Sequence, residues 1–318
     1  MSLQNSDKKI LITGGGGFLG YHLANRFFKR NEYVKVIGYK VDREIYFNTG
    51  AFSDLTNYEA CLRATENIDY VYHCAAKMGG IDYITKNGSE VMTNNVLVNT
   101  NMIRAAAKNG VKKFFFPSSF CVYPEHLQIS GTTYLKEWDM LPANPDTFYG
   151  WEKVFTEQTL RAYSNKMEVR VGRFVSVYGP ENDYIGGREK VISAICRKIV
   201  LSPDNGEIEI WGDGTQVRSF VYIDDALDAI ESIMNCIDSS AFNVSHPSAI
   251  SINEMTNLAI EASGKNITKK YIQKGTKGVD FRMANITKIR DNLGWYPKVS
   301  MRDGIARTYK WIKEDMKK

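Results

Sequence analysis

Paired cysteines are missing from this chain. Its five cysteines, at positions 61, 74, 121, 196 and 236, show no CxxC spacing and no clustering with the four histidines. That pattern suggests neither a zinc site nor a disulfide framework, and the default role of each free thiol is that of a small apolar filler. Long apolar runs are missing too. No window approaches the ~18 uninterrupted apolar residues of a membrane span, and the opening MSLQNSDKK lacks the apolar core of a signal peptide, so the expected location is the cytoplasm. Charge of one sign is scarce. The net charge of +5 is spread thinly, with short basic pairs only at Lys112-Lys113, Lys269-Lys270 and Lys317-Lys318. Such pairs read as solvated faces and offer no patch for nucleic acid or a membrane surface. There is no internal repeat and no low-complexity tract.

What is present is a globular pattern: 318 residues, 43% of them hydrophobic, enough for one large domain or two closely joined ones. The segment KKILITGGGGFLGYHLANRFFKRNEYVKVIGYK reads as strand, glycine-rich turn, amphipathic helix and second strand. Further apolar runs, DYVYHCAA, VKKFFFPSS and MEVRVGRFVSVYG, alternate with the helical stretches VLVNTNMIRAAAKNG and GWEKVFTEQTLRAYSNK, the first closing on an Asn-Gly stop. This alternation predicts an α/β fold, a Rossmann-type doubly wound parallel sheet. Its expected extent is residues 1–179 plus about 218–245, where SFVYIDDALDAIESIMN reads as a strand and helix returning to the sheet. A smaller, discontinuous substrate domain is expected from about 180–217 and 246–318. Its first helix should run from about Val191 to Leu201, and the ligand cleft should lie between it and the carboxyl ends of the strands.

The turn TGGGGFLG places Gly14, Gly17 and Gly20 in GxxGxxG spacing, with Phe18 and Leu19 opening the helix. Glycines there permit a tight turn and close approach of the backbone to a pyrophosphate, while the helix N-terminus favours negative charge. The expected cofactor is NAD. Where an acidic residue usually holds the adenosine ribose, about 20 residues on, stands Tyr39. Asp42 or Glu44 is the substitute, whereas Lys40 and Arg43 suit a 2′-phosphate and keep NADP open. Asp54 is placed either to contact adenine or to make a plain Asx turn.

In YGWEK, Tyr149 and Lys153 stand at i, i+4, one above the other on a helix. An ammonium beside a tyrosine favours the phenolate, which exchanges a proton with a sugar alcohol or carbonyl. Ser119, ending its strand, hydrogen-bonds the same oxygen. In an extended segment Ser119 and Cys121 point to one side, which would turn the Cys121 thiol toward the substrate. Lys190, in the presumed first turn of a helix, should have its proton affinity lowered by the helix dipole. Gly79 and Gly80 either let the backbone approach a sugar or make a turn. Arg218 suits a bidentate grip on phosphate, with a surface salt bridge as the alternative. Trp211 is expected to pack in the core.

Taken together, these motifs resemble the extended short-chain dehydrogenase/reductase family of nucleotide-sugar enzymes, nearly end to end, including WGDGTQVRSFVYIDDA and NLGWYP. Phe120 and Cys121 stand where the family's dehydratases carry an acidic pair. HCAAKMGG, SSFCVYPE, YGWEK and GGREK are similar to the GDP-mannose 3,5-epimerase branch. That resemblance implies transient oxidation at sugar carbon 4, with a cysteine (here Cys121) and a lysine (here Lys190) exchanging protons from opposite faces. It also implies Ser119, Tyr149 and Lys153 for the redox step, Arg218 at the diphosphate, and a homodimer through helices near residues 94–109 and 149–164. Lys77, where the branch has an aspartate, and Phe120, where it tends to a smaller residue, imply an altered GDP-sugar. A GDP-fucose synthase-like epimerase/reductase and a non-catalytic nucleotide-binding protein are the competing readings.

Overall fold

The computed structural model describes residues 8–30, 32–38, 53–129, 134–273 and 278–318. The chain begins β1 (Ile10–Thr13), α1 (Phe18–Phe28), β2 (Val34–Ile37), α2 (Tyr58–Thr65), β3 (Tyr70–His73), α3 (Ile81–Lys86), α4 (Gly88–Lys108) and β4 (Lys113–Ser119). A 3-10 turn at Phe120–Val122 leads to β5 (Tyr134–Leu135), α5 (Phe148–Ala162), β6 (Glu168–Phe174), β7 (Ser176–Tyr178) and α6 (Val191–Leu201). Then come β8 (Glu207–Trp211), β9 (Val217–Tyr222), α7 (Ile223–Asn235), β10 (Phe242–Val244), β11 (Ala249–Ser251) and α8 (Ile252–Ser263). The chain closes with β12 (Thr268–Ile272), β13 (Phe281–Ala284), α9 (Thr287–Leu293) and α10 (Met301–Asp315).

Six strands form a parallel sheet in the order β10-β6-β4-β3-β1-β2. The chain steps outward from β1 to β2 and then crosses to β3, so the carboxyl ends of β1 and β3 flank the switch point at which such sheets bind ligands. The run KFFFPSS shows why both faces are covered. Phe114 and Phe116 pack with Met102, Ile103 and Leu160 from α4 and α5, while Phe115 points to the other face, toward Tyr72 and the cluster shared with α1 and α7. A strand apolar at consecutive positions belongs between two helical layers. The expected Asn-Gly stop is realised at Asn109 and Gly110, where φ is +72°.

Over the carboxyl ends lies a cap built from α6, α8, α10 and two small sheets, one ordered β11-β9-β13-β5 with β7 on β9, the other β12-β8. The apolar run MEVRVGRFVSVYG does not make one strand. It breaks at Val175, so that β6 stays in the main sheet and β7 pairs with β9. The strand in SFVYIDD therefore joins the cap and not the main sheet. What returns is α7, whose stripe of Ala226, Leu227, Ile230 and Ile233 packs on β6 and α1, followed by β10 at the sheet's edge. Among the described residues no helix is long and apolar enough to cross a membrane.

Candidate active site

The glycine turn sits at the switch point. Gly14 has φ +72°, and a Cβ there would come within 2.7 Å of the Cys74 and Ala75 backbone just after β3; one at Gly20 would overlap the Gly14 carbonyl. The turn is pinned by Gly15 N–H donating to Ile37 O at 2.9 Å and Gly17 N–H to Gly14 O at 2.9 Å. α1 begins at Phe18 with Gly17 as a cap that offers no side-chain acceptor, and with no acidic residue in the first turn. Its leading amides, those of Phe18 and Leu19 included, thus form a bare positive helix end, an anion site of the kind a pyrophosphate occupies. Asp54 forms the Asx turn, its Oδ1 accepting from Thr56 N–H at 2.9 Å and Thr56 Oγ1 at 2.7 Å. Tyr39, with Lys40, Asp42, Arg43 and Glu44, lies outside the described residues.

At the end of β4, Ser119 does not continue an extended segment through Cys121. Its Oγ accepts from Cys121 N–H at 3.1 Å and so caps the 3-10 turn. The turn sends Phe120 into the core (1% exposed) against Tyr123, ring centroids 5.0 Å apart, and leaves Cys121 in a cluster with Tyr149, Ile84 and Val91. Phe120 therefore does not face a substrate. α5 starts at the Thr147 cap, whose Oγ accepts from Gly150 N–H at 3.2 Å, and Gly150 lies so close to Cys121 that a Cβ would overlap its carbonyl oxygen. That close approach brings Tyr149 beside the cysteine, with Ser119 hydrogen-bonded to it. Burial, then the charges of Glu152 and Cys121, raise the Tyr149 proton affinity well above the ordinary phenol value; the Ser119 bond opposes them. The ammonium of Lys153 stands 5.3 Å from the Tyr149 ring centroid and 4.5 Å from that of Phe116, with Glu152 Oε1 at 3.4 Å. Sequence spacing predicts that Lys153 favours the phenolate; in the structure burial, then Glu152 and Cys121, hold the proton on Tyr149.

The opposite wall comes from the cap. Lys190 is the N-cap residue of α6, which runs over the expected Val191–Leu201, and its segment is docked by Gly80, whose N–H donates to Arg188 O at 3.0 Å. A Cβ on Gly80 would come within 2.7 Å of Glu189 O, and one on Gly79 within 2.9 Å of the Tyr83 ring. Gly80 thus permits the close fit on the Glu189 loop, and Gly79 that on the Tyr83 ring of α3. The Lys190 proton affinity is lowered, chiefly by burial, with the nearby Cys121 opposing. Arg218 on β9 donates to the main-chain oxygens of Val217, at 2.9 Å, and Val279. Burial, then Arg282, lower it to about 10. Arg282, which sequence reasoning missed, donates from Nη1 to Cys121 Sγ at 3.2 Å, from Nε to Gln128 Oε1 at 2.5 Å and from Nη2 to Asp146 Oδ2 at 3.0 Å. Nothing local to FRMA signals this role. The parallel pairing of β13 with β9 carries Arg282 there from 161 residues away.

The profile of the NAD dependent epimerase/dehydratase family matches residues 10–245. The chain belongs to that family. It is 38% identical over 317 residues to the GDP-mannose 3,5-epimerase of Arabidopsis thaliana and 37% identical over 316 residues to GDP-mannose 3,5-epimerase 1 of Oryza sativa subsp. indica. Each alignment covers 98% of this chain and 83% of the relative. Among solved structures, the UDP-glucose 4-epimerase of Thermotoga maritima with UDP-glucose superposes with a TM-score of 0.88 at 25% identity, covering 97% of this chain and 99% of that one. NAD is the family's cofactor, and the tight glycine turn and the bare α1 N-terminus fit it.

The structure also places Lys77, and it corrects the expectation for Trp211. Lys77 turns to Glu90 in an ion pair at the start of α4, while its main-chain N–H and C=O are clamped by Asn95 at 2.7 and 3.0 Å. Trp211 is 42% exposed and not in the core, with the Lys198 ammonium 5.8 Å from its ring centroid. It ends β8 in a two-stranded sheet that buries only alternate residues, here Ile208 and Ile210.

Proposed function

We propose that this protein is an NAD-dependent GDP-sugar epimerase acting on GDP-mannose or a close relative, with oxidation at carbon 4 and proton exchange at carbon 3, carbon 5 or both. The observation that carries this reading is the convergence of Cys121 and Lys190 on the same crevice as Ser119, Tyr149 and Lys153, in a chain similar over nearly its full length to GDP-mannose 3,5-epimerases. The bound nicotinamide supplies a hydride acceptor and donor for carbon 4. Tyr149, held by Ser119, exchanges the proton of the carbon-4 oxygen. A ketone at that carbon acidifies both neighbouring C–H bonds, and inversion of either needs one group to take a proton and another to return it from the opposite face. Cys121 and Lys190 are those two groups. Burial supports the lysine's part, because an amine with lowered proton affinity gives up and regains its proton nearer neutral pH. Arg218 grips the diphosphate and Trp211 offers an exposed face to the base.

Two finer points belong to the same reading. Leu97 on α4 and Phe148, Trp151 and Phe155 on α5 are large apolar side chains 40–60% exposed. A second copy of the chain covers them in a homodimer, and sedimentation at micromolar concentration tests it. The protein works in the cytoplasm, where its five free thiols stay reduced. The decisive experiment for the activity is incubation with GDP-mannose in heavy water followed by NMR of the sugar. Deuterium at carbon 3 or 5 that is lost in Cys121→Ala supports the epimerase; stoichiometric consumption of NADPH with a 4-keto GDP-sugar would instead establish the epimerase/reductase.

A further inference from the structure

Glu152 has no part in the chemistry above, yet its side chain is 0% exposed, one residue before Lys153. A carboxylate so placed is costly unless its lone pairs are engaged. Its side-chain partners are Asn95 Nδ2 at 3.0 Å and Lys153 Nζ at 3.4 Å on Oε1, Asn99 Nδ2 at 3.1 Å on Oε2, and the Thr156 hydroxyl. The ammonium and the two amides offer only hydrogens, and Thr156 Oγ1 already accepts from Asn99 Nδ2, so these partners favour the carboxylate against burial, which raises its proton affinity.

The two asparagines continue into the cofactor side of the crevice. Asn95 clamps the Lys77 peptide groups, and Asn99 meets His73 Nε2 through Oδ1 at 3.0 Å while its amide also donates to Thr156 Oγ1 at 2.9 Å. Since the Asn99 amide faces an acceptor carboxylate, its oxygen must accept, which places the His73 proton on Nε2. Nδ1 then accepts from the Thr13 hydroxyl at 2.8 Å, and that hydroxyl accepts from Ala75 N–H at 3.2 Å. His73 is neutral, burial having lowered it to about 3. Every bond in this chain thus points its donor toward Glu152, from the backbone beside the glycine turn.

We propose that Glu152 is a positioning residue that neutralises the Lys153 ammonium beneath Tyr149, anchors it to the strand ends that flank the cofactor, and thereby sets the pH at which Tyr149 exchanges its proton. The proposal deepens the epimerase reading and rests on it for the role of Tyr149. The groups facing the tyrosine are Glu152 and Lys153 on its own helix, Cys121 on the turn after β4, Ser119 at the end of β4, and Tyr83 of α3 in the same cluster. Facing Glu152 are Lys153, the two α4 asparagines and, through Asn99, neutral His73 of β3.

The test has two readings. Alkaline ultraviolet difference titration of the holoenzyme, with Tyr149→Phe subtracted in each background, isolates Tyr149 without any sugar present. Glu152→Gln should lower its midpoint by roughly one pH unit, the size of shift a charge at this range produces. Glu152→Asp, which keeps the charge, should leave the midpoint near that of the parent. In turnover with GDP-mannose, the acid limb of kcat should move down by the same amount with KM unchanged, whereas loss of structure alone would lower kcat without moving the limb. Should Glu152→Gln fail to fold, Asn99→Ser, which keeps the carboxylate charged but takes one donor from it, should move the midpoint the opposite way, upward, by less. A folded Glu152→Gln protein with an unmoved Tyr149 midpoint overturns the proposal. Parent enzyme that fails to exchange sugar hydrogens would instead overturn the epimerase reading and leave the titration standing.

Discussion

On the sheet side of the crevice, the Lys153 ammonium has the Glu152 carboxylate at 3.4 Å, and the carboxylate in turn is held by two asparagines. On the cap side, Lys190 and Arg218 have no carboxylate within ion-pair distance among the described residues, whereas Arg282 has Asp146 and Arg197 has Glu189. The first wall is internally neutral and hydrogen-bonded, as suits a surface that must keep one geometry. The second is left with positive charge that burial makes costly. A folded protein keeps such an imbalance where a ligand supplies the missing anion, and a sugar diphosphate carries it. On the proposed function, the sheet wall holds a tyrosine and a cofactor in register, and substrate completes the cap wall.

Removing the proposed proton carrier from the cap wall should produce the largest effect. Lys190→Met is expected to reduce deuterium incorporation at the epimerised carbon by ~10²–10⁴-fold, the usual share of a general acid or base. Dinucleotide affinity, set by the sheet wall, should stay within about twofold. A matching loss of cofactor binding, measured by titration calorimetry, would show that the two walls are not independent. Next comes the proposed diphosphate grip. Arg218→Leu should raise KM for GDP-mannose by about 10- to 100-fold, since a hydrogen bond to a charged group contributes about 1.5–3 kcal/mol. The kcat should change little, because the diphosphate is not the reacting part; an equal fall in kcat would place Arg218 in the chemistry.

The same asymmetry governs how readily each wall could be read from the sequence. The sheet wall is local: the glycine turn opens α1, and YGWEK places Tyr149 and Lys153 on one helix by spacing alone. The helix start beside Lys190 is legible from the apolar periodicity after Val191, but Lys190 is its N-cap residue and not part of its first turn, and burial lowers its proton affinity where the helix dipole was expected to. Arg282 was not legible, because only the pairing of β13 with β9 brings it to Cys121, and a short strand with no motif says nothing of its partner. Phe120 and Trp211 were misread for a related reason. Whether a side chain turns into the core or out of it depended on a 3-10 turn capped by Ser119 and on a two-stranded sheet at the rim, neither of which leaves a periodic trace. The apolar run 167–179 was read as one strand because hydrophobicity does not record which sheet buries it.

A smaller effect sharpens the contrast through stability. The folded-state proton affinity of Lys190 lies below its ordinary value, so the charged lysine destabilises the substrate-free fold. The penalty is fully present at pH below the depressed folded pKa, and it fades as pH rises from that value toward the unfolded one of about 10.4. Lys190→Met should therefore raise Tm by roughly 1–3 °C at neutral pH, with the gain shrinking as the buffer becomes alkaline. A gain that grows with pH, or one retained when GDP-mannose is bound, would contradict the assignment of Lys190 as an uncompensated cation.

The smallest expected effect concerns Lys77, which stands where the resemblance implies an aspartate. Its position at the crevice invites a role in sugar choice, but the structure divides the residue in two. The peptide group belongs to the sheet wall, clamped at both ends by Asn95, while the ammonium leaves the crevice for Glu90, a surface carboxylate. An exposed ion pair contributes about 0–1 kcal/mol, and its loss frees two long side chains without uncovering the site. Lys77→Ala should accordingly leave kcat/KM for GDP-mannose within about threefold of the parent, whereas Asn95→Ala, which releases the peptide, should cost more. Steady-state kinetics with GDP-mannose and with GDP-sugars differing at one hydroxyl decide the matter. If Lys77→Ala changed the preference between those sugars tenfold, the ammonium would have to exchange Glu90 for a substrate hydroxyl on binding, and the sheet wall would take part in substrate choice after all.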